Sequence, residues 1–152
     1  MRLDIGRVVS SENYVLNFDL SADFSEYDVA DGQKPFTAPV KITGTVKNKF
    51  RGIELSAKIT TSCSALCDRC LTPVEFELST SLYGFIDDGE TTSEDELITL
   101  KADRFIELDD AVFETLILAY PQKILCMEDC KGLCPQCGAN LNNATCECLI
   151  SE

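Results

Sequence analysis

The chain has 152 residues, of which 45% are hydrophobic, and its 26 acidic residues outnumber 13 basic ones for a formal net charge of −13. A chain of this length buries one ordinary hydrophobic core, so we expect a single main domain with at most a short appendage. The absence of histidine excludes histidine acid–base catalysis, and the acidity disfavours contact with phosphate backbones unless the basic residues are gathered in one place.

Alternating apolar and polar residues predict strands along most of the chain. The predicted strands cover residues 14–20, 40–46, 53–59, 74–85, 97–100 and 105–108. The second and third of these form a β-hairpin around a polar turn at 48–52, in which Gly52 supplies a positive φ at little steric cost. Charged outward positions keep one face of this hairpin in water.

An acidic segment and a helix follow the strands. Residues 87–96 contain almost no apolar side chain and are expected to form a mobile loop. Asp109 or Asp110 is expected to cap a helix over 109–120, which Pro121 ends. The apolar stripe of this helix consists of Val112, Phe113, Leu116, Ile117 and Tyr120. Its helical spacing indicates a core-facing side that lies on the sheet.

The charges are unevenly distributed. Residues 41–70 hold six basic residues against Glu54 and Asp68, a local charge of +4, whereas residues 86–114 hold eleven acidic residues against two basic ones, a local charge of −9. The candidate RNA-binding residues are Lys41, Lys47, Lys49, Arg51, Lys58 and Arg69. Both runs are explained equally well as solvated faces. The functional hypothesis is that the basic run contacts nucleic acid, while the acidic run shields the chain or meets a basic protein.

The cysteines carry the strongest signal. Eight of the nine are candidate metal ligands: Cys67, Cys70, Cys126, Cys130, Cys134, Cys137, Cys146 and Cys148. Four thiolates satisfy the tetrahedral preference of Zn²⁺ without another ligand type, so the expected cofactor is zinc, with two ions per chain. The N-terminus lacks the apolar core of a signal peptide, and residues 111–120 are too short to span a bilayer. We therefore expect a cytoplasmic protein with reduced thiols and no membrane contact.

The spacing leaves two pairings open. In the favoured one, Cys134 and Cys137 close a site with Cys146 and Cys148, while Cys126 and Cys130 meet Cys67 and Cys70. In the other, a single site joins Cys134 and Cys137 to either Cys146 and Cys148 or Cys67 and Cys70, and the remaining thiols stay unligated. The most specific element is Cys134-Pro135-Gln136-Cys137-Gly138, because proline stiffens the turn and glycine permits the tight backbone of a zinc knuckle. Cys63 is expected to be a small core residue.

Three stretches together carry a family resemblance. They are residues 61–71, the helix end Ala119-Tyr120-Pro121 and, most specifically, 126–142 with its Cys-Lys-Gly-Leu-Cys-Pro-x-Cys-Gly-x-x-Leu-Asn run. The chain resembles the YceD family of bacterial proteins and their plastid relatives, described as large ribosomal RNA subunit accumulation proteins. The resemblance implies a role with the RNA of the large subunit. The implied partners are precursor ribosomal RNA or an assembling large-subunit particle. The acidic run adds a basic ribosomal protein as a further candidate partner.

These observations predict an α+β protein, mainly an antiparallel β-sheet or partly open barrel, with one helix near the C-terminal third and a Cys-rich zinc-bound tail. The domain prediction places an antiparallel β domain at 1–125 and a zinc-ribbon-like tail at 126–152. The predicted function is a non-enzymatic factor for accumulation or processing of large-subunit (23S) ribosomal RNA, because a closed all-sulfur site leaves no position for water. The alternative is a thiol redox or zinc-linked oxidation-sensing protein.

Overall fold

The computed structural model describes residues 1–29, 32–49, 52–87, 98–99 and 103–149. These residues form seven strands, two α-helices and one 3-10 turn. In chain order they are β1 (Arg2–Asp4), α1 (Gly6–Ser10), β2 (Val15–Ala22), β3 (Val40–Lys49), β4 (Gly52–Leu66), β5 (Pro73–Asp87), β6 (Ile98–Thr99), β7 (Phe105–Glu107), α2 (Asp109–Ala119) and the 3-10 turn Glu147–Leu149.

The strands form one large and one small sheet. The large sheet has the order β2-β3-β4-β5-β6, antiparallel except for the parallel pair β5–β6, and the small one pairs β1 with β7. The large sheet is open, with edges at β2 and β6. The predicted α+β class with a mainly antiparallel sheet is confirmed. The described residues contain two α-helices rather than the single one predicted, because α1 is too short to show a periodic pattern.

The β3–β4 hairpin is longer than predicted. Asn48 and Lys49 continue the strand, and Lys49 pairs with Gly52, whose φ of +124° confirms the predicted positive φ. Phe50 and Arg51 lie outside the described residues, as do residues 88–96 of the predicted acidic loop. Within the hairpin the two strands approach closely at Gly44, where an added Cβ would lie 2.4 Å from the Ser56 carbonyl oxygen.

The large sheet has one buried and one exposed face. Inward side chains of β2 to β5, together with residues of α1, β7 and α2, form the core, which includes Val8, Phe18, Ile42, Val46, Leu55, Ile59, Leu82, Ile106, Val112 and Leu116. The outward positions of β3 and β4 alternate with these and carry lysine, serine and threonine. One face of the sheet is therefore open to solvent, as the alternation predicted.

The start of α2 differs from the prediction. Leu108 occupies the N-cap without a side-chain hydrogen bond. Asp109 and Asp110 lie in the first turn, where the positive end of the helix dipole stabilises their carboxylates. The Asp109 carboxylate instead accepts a hydrogen bond from the N-terminal ammonium of Met1. The predicted end is confirmed: Pro121 restricts Tyr120 to an extended backbone, so the helix ends at Ala119.

Only part of the predicted stripe on α2 is core. Val112 and Leu116 are fully buried, whereas Ile117 keeps 38% of its surface exposed. Ala111, which was not assigned to the stripe, is buried instead. The buried side of α2 is therefore formed by Ala111, Val112 and Leu116.

Candidate metal centres

Four cysteines from two distant parts of the chain meet beside the end of the sheet. Cys67 and Cys70 lie in the turn between β4 and β5, and Cys126 and Cys130 follow α2. Their sulfur atoms all lie within 4.8 Å of one another, and three of the four residues are buried. We call these four residues the sheet-side cysteine group. The tail is thus held against the β4–β5 turn.

The remaining four cysteines meet within the tail alone. Cys134, Cys137, Cys146 and Cys148 also place their sulfur atoms within 4.8 Å of one another. Cys134 is buried, Cys137 is exposed, and the other two are intermediate. We call these four residues the tail cysteine group. The structure therefore brings together the two sets of the favoured pairing, and it does not bring Cys134 and Cys137 together with Cys67 and Cys70.

The sulfur separations suit a tetrahedral metal ion. Four thiolates at about 2.3 Å from a zinc ion lie about 3.8 Å from each other. The Sγ atoms of Cys67 and Cys130 are 3.8 Å apart, and those of Cys70 and Cys126 are 3.5 Å apart. A disulfide would need about 2.05 Å between sulfur atoms. The sheet-side group thus has the spacing of a four-sulfur metal site rather than that of bonded pairs.

Both Cys-x-x-Cys turns have the same backbone. The Cys67 N–H donates to the Thr72 carbonyl at 2.9 Å, and the Leu71 N–H donates back to the Cys67 carbonyl at 2.9 Å. In the tail, the Cys134 N–H donates to Ala139 at 2.8 Å and the Gly138 N–H donates to Cys134 at 2.9 Å.

The residue after each second cysteine has a positive φ. It is +72° at Gly138 and +58° at Leu71. Glycine adopts this conformation without strain, whereas leucine does so at a cost. The sequence indicated the knuckle at Gly138 and gave no sign that Leu71 would adopt the same backbone.

These turns lower the pKa of their first thiol. Burial opposes ionisation of Cys67, but backbone N–H donors from Arg69, Cys126 and Cys70 lower its pKa to about 6. The backbone N–H groups of Cys137 and Gln136 lower the pKa of Cys134 to about 6 as well. Thr72 lowers the pKa of Cys70 through its hydroxyl and backbone N–H. The first thiol of each turn therefore loses its proton more readily, and the thiolate is the form that binds metal.

The partner thiols are shifted the other way. Hydrogen bonding to Cys70, followed by desolvation, raises the pKa of Cys126 to about 12, and contact with Cys137 raises that of Cys148 to about 11. The pKa of Cys146 is raised by its contact with Cys134. Because ligands must lose their protons on coordination, metal binding by these groups would release protons and weaken at low pH.

The segment between Cys130 and Cys134 contacts the β4–β5 turn. The Arg69 guanidinium donates to the Cys130 carbonyl at 2.7 Å, and the Arg69 carbonyl accepts from Leu133 N–H at 3.1 Å. Gly132 has a φ of +76°, and an added Cβ would lie 3.0 Å from the Arg69 carbonyl oxygen. Arg69 is one of the residues predicted to contact RNA. Two contacts to sulfur were not predicted: the Thr72 backbone N–H donates to Cys70, and the Asn142 side chain donates to Cys130.

The candidate RNA-binding residues do not form one cluster. Lys41, Lys47, Lys49 and Lys58 lie at outward positions of β3 and β4. Lys49 pairs with Glu54, while no ion pair of the other three is found within the described part of the chain. Arg69 lies apart at the sheet-side group, and Arg51 is outside the described residues. The structure thus gathers four of the six on one open face.

An exposed aromatic residue on the same face was not among the predicted site residues. Tyr83 lies opposite Ser56 and is 57% exposed. Its ring centroid is 6.0 Å from that of Phe85, edge to face at 77°. Both residues occupy outward positions of the predicted strand 74–85, so the alternation of that strand is enough to predict that their side chains point outward.

Cys63 belongs to neither group, and its predicted place in the core is confirmed. It is fully buried, and burial raises the pKa of its thiol to about 11 from an ordinary 9.0. At pH 8 the thiolate fraction is about 100-fold smaller than for an unshifted thiol, so we expect alkylation of Cys63 to be slower by at least that factor.

Alkylation with iodoacetamide after chelation, followed by peptide mapping, measures this difference against the exposed Cys137. The Cys63 rate should rise as the pH increases from 9 to 11, and denaturant should abolish the protection. Equal rates for Cys63 and Cys137 in the folded chain would contradict the core assignment.

The described helices include none that is both long and apolar enough to cross a bilayer. Among curated proteins, the uncharacterized protein Rv2926c of Mycobacterium tuberculosis is 33% identical over 101 residues, which is 63% of this chain and 48% of the relative. The uncharacterized protein Mb2951c of Mycobacterium bovis shows the same identity and coverage. ML1660 of Mycobacterium leprae, also uncharacterized, is 24% identical over 108 residues, or 68% of this chain and 50% of the relative.

The chain spans about half the length of these curated relatives, and no solved structure matches it significantly. The family model described as "Large ribosomal RNA subunit accumulation protein YceD" matches residues 55–151, from within β4 to the end of the tail. The matched region contains both cysteine groups and the β4–β5 turn that carries Cys67 and Cys70. The chain therefore belongs to the YceD family.

Proposed function

We propose that this protein is a non-enzymatic, cytoplasmic zinc-binding factor for accumulation or processing of large-subunit (23S) ribosomal RNA. It would act by binding precursor RNA or an assembling large-subunit particle. The family match over residues 55–151 carries this proposal, since the family's description names accumulation of the large ribosomal RNA subunit and no catalysed reaction.

Zinc is the metal that the two groups suit best. All eight candidate ligands are thiolates, which favour soft or borderline metals, and four of them complete a tetrahedral shell. When bound, the ion would supply cross-linking rather than catalysis, because a four-sulfur shell leaves no open position for substrate. The proposed division is a β domain at 1–125 and a zinc-ribbon-like tail at 126–152 attached to it.

The outer face of the large sheet is the proposed RNA-contact surface. Lys58 pairs across strands with Ser81, and Tyr83 is two residues further along β5, so the lysine and the tyrosine are diagonal neighbours. Lys41 pairs with Thr60 and is likewise diagonal to Lys58. An exposed ring beside the Lys58 ammonium group can stack a base while the lysines contact phosphates. Asp19, Glu54, Glu75 and Glu77 lie at outward positions of the same sheet, so the lysines are local positive groups on a face of mixed charge.

We expect Lys58→Ala and Tyr83→Ala to weaken binding to single-stranded segments of precursor ribosomal RNA in different ways. Tyr83→Ala should lower the affinity about tenfold at every salt concentration, because a stacking contact is lost. Lys58→Ala should lower the affinity mainly at low salt and reduce the salt slope by about 1, because one phosphate contact is lost.

Fluorescence anisotropy with labelled RNA at several salt concentrations measures both effects. Lys123→Ala is the matched control, since Lys123 is exposed but lies after α2, away from the sheet face. Equal losses in all three variants would indicate non-specific attraction. Undetectable binding to naked RNA, with binding to a basic ribosomal protein, would instead favour the protein partner.

A thiol redox or oxidation-sensing role is the second candidate. It is favoured by the lowered pKa of Cys67 and Cys134, each the first cysteine of a Cys-x-x-Cys turn. The grouping of four sulfur atoms instead favours a metal site, since a redox pair needs only two thiols. Native mass spectrometry of protein purified under reducing conditions separates the two: two metal ions support zinc, and none supports redox chemistry.

A further inference from the structure

Asn142 connects the two cysteine groups. It belongs to the tail loop that runs between Cys137 and Cys146, yet its side-chain Nδ2 lies 3.3 Å from the Sγ of Cys130 in the sheet-side group. A residue held by one group thus donates a hydrogen bond to a ligand atom of the other. This contact is independent of the surface proposed for RNA.

The orientation of the Asn142 amide is fixed by its other contacts. The Lys131 backbone N–H, which can only donate, lies 2.8 Å from Oδ1. The Nδ2 also donates to Asn140 Oδ1 at 2.9 Å, and the Asn142 backbone N–H donates to the same oxygen at 3.0 Å. The NH₂ end of the amide therefore faces the sulfur of Cys130, and the oxygen end cannot take its place.

The sulfur of Cys130 differs from its partners in the source of its donor. Cys67 and Cys70 receive donors from the β4–β5 turn, namely Arg69, Cys70 and Thr72, and Cys67 also receives one from the backbone N–H of Cys126. For Cys130, the side-chain donor comes from the tail loop. Four thiolates around one divalent ion leave an excess charge of −2, and hydrogen bonds to the sulfurs stabilise that charge.

We propose that Asn142 is a positioning residue through which the tail cysteine group controls metal retention by the sheet-side cysteine group. Metal in the tail group orders the loop that carries Asn142, and the ordered loop keeps the N–H···S bond to Cys130. Loss of the tail metal releases the loop, removes this bond and speeds metal loss from the sheet-side group. The two sites therefore release metal in sequence, tail first. The proposal rests on the metal-binding part of the proposed function and not on RNA contact.

The test is zinc release from the full, zinc-loaded chain into excess chelator. Cys137→Ser and Cys70→Ser assign the phases, because each removes one group. Asn142→Asp keeps the oxygen that accepts from Lys131 but replaces the NH₂ by a charged oxygen. We expect it to raise the release rate of the sheet-side phase about tenfold or more, with two zinc ions still bound at the start.

The control and the combined variant test the coupling. Asn143→Ala alters the exposed neighbouring asparagine and should leave both phases unchanged. Cys137→Ser alone should raise the sheet-side rate about tenfold, and Asn142→Ala in that background should add nothing. In protein loaded with ¹¹³Cd, the sheet-side resonance should shift in Asn142→Asp and Asn142→Ala but not in Asn143→Ala.

An unchanged sheet-side rate and resonance in Asn142→Asp would overturn the proposal. So would a full additional tenfold effect of Asn142→Ala in the Cys137→Ser background, since Asn142 would then act without the tail group. A wild-type chain that binds no metal would overturn the zinc proposal itself, and native mass spectrometry detects that before any release rate is measured. Failure of RNA binding leaves this inference untouched.

Discussion

Cys134→Ser is expected to lower the metal content from two ions per chain to one and to unfold the part of the tail beyond Leu133, while the sheet keeps its unfolding free energy. Among residues 134–148, Cys134 alone is buried, and none of these residues belongs to the main core. A segment without a core depends on its metal, and structural zinc contributes about 10–16 kcal/mol in small zinc-binding peptides. Removing one of four ligands removes most of that contribution.

Native mass spectrometry and hydrogen exchange together measure this result. Exchange protection should vanish for amides of Cys134 and Gly138, which form the tail turn, and persist in β3 and β4. Cys63→Ala is the matched cysteine control: it should keep both ions and instead lower the stability of the core, because Cys63 is fully buried there. A Cys134→Ser protein that retains two ions, or loses both, would contradict separate four-sulfur groups.

The parts of the structure that the sequence predicted depend on short-range patterns. The hairpin of β3 and β4 follows from strict alternation, and the tail group follows from cysteines only a few residues apart. The meeting of Cys67 with Cys130 spans 63 residues. This pairing follows from the sequence only by matching the pairs that the tail site leaves over. The spacing alone therefore does not distinguish two sites from one.

Other features lacked any local signal. Strand β1 and helix α1 have three and five residues, too few to display a period, and their place is set by pairing with β7 and by burial of Val8. The contact of Asn142 with Cys130 arises only when both cysteine groups are assembled. Arg69 looked like one more basic residue of the +4 segment, yet its guanidinium reaches the Cys130 carbonyl. Such roles depend on tertiary contacts, and these contacts cannot be predicted from composition and residue spacing.

Cys70→Ser is expected to have the complementary effect: the tail group keeps its ion, the sheet-side ion is lost, and the tail separates from the sheet. The small buried cluster at this junction consists of Cys67, Cys70 and Cys130 with few apolar neighbours, so little hydrophobic energy remains once the metal is gone. The surviving links are hydrogen bonds, such as Asp68 N–H to the Ile124 carbonyl at 2.8 Å and Ile124 N–H to the Asp68 carboxylate at 2.6 Å.

Each of these bonds contributes about 1 kcal/mol, far less than a bound structural metal. We therefore expect one ion by native mass spectrometry and loss of exchange protection at Asp68 and Ile124, with protection at Cys134 and Gly138 retained. Ser64→Ala, an exchange of one small side chain at the end of β4, is the control and should keep two ions. If Cys70→Ser kept its full metal content while Cys134→Ser lost all of it, one tail site would hold the metal. The sheet-side group would then join the tail to the sheet by hydrogen bonds alone.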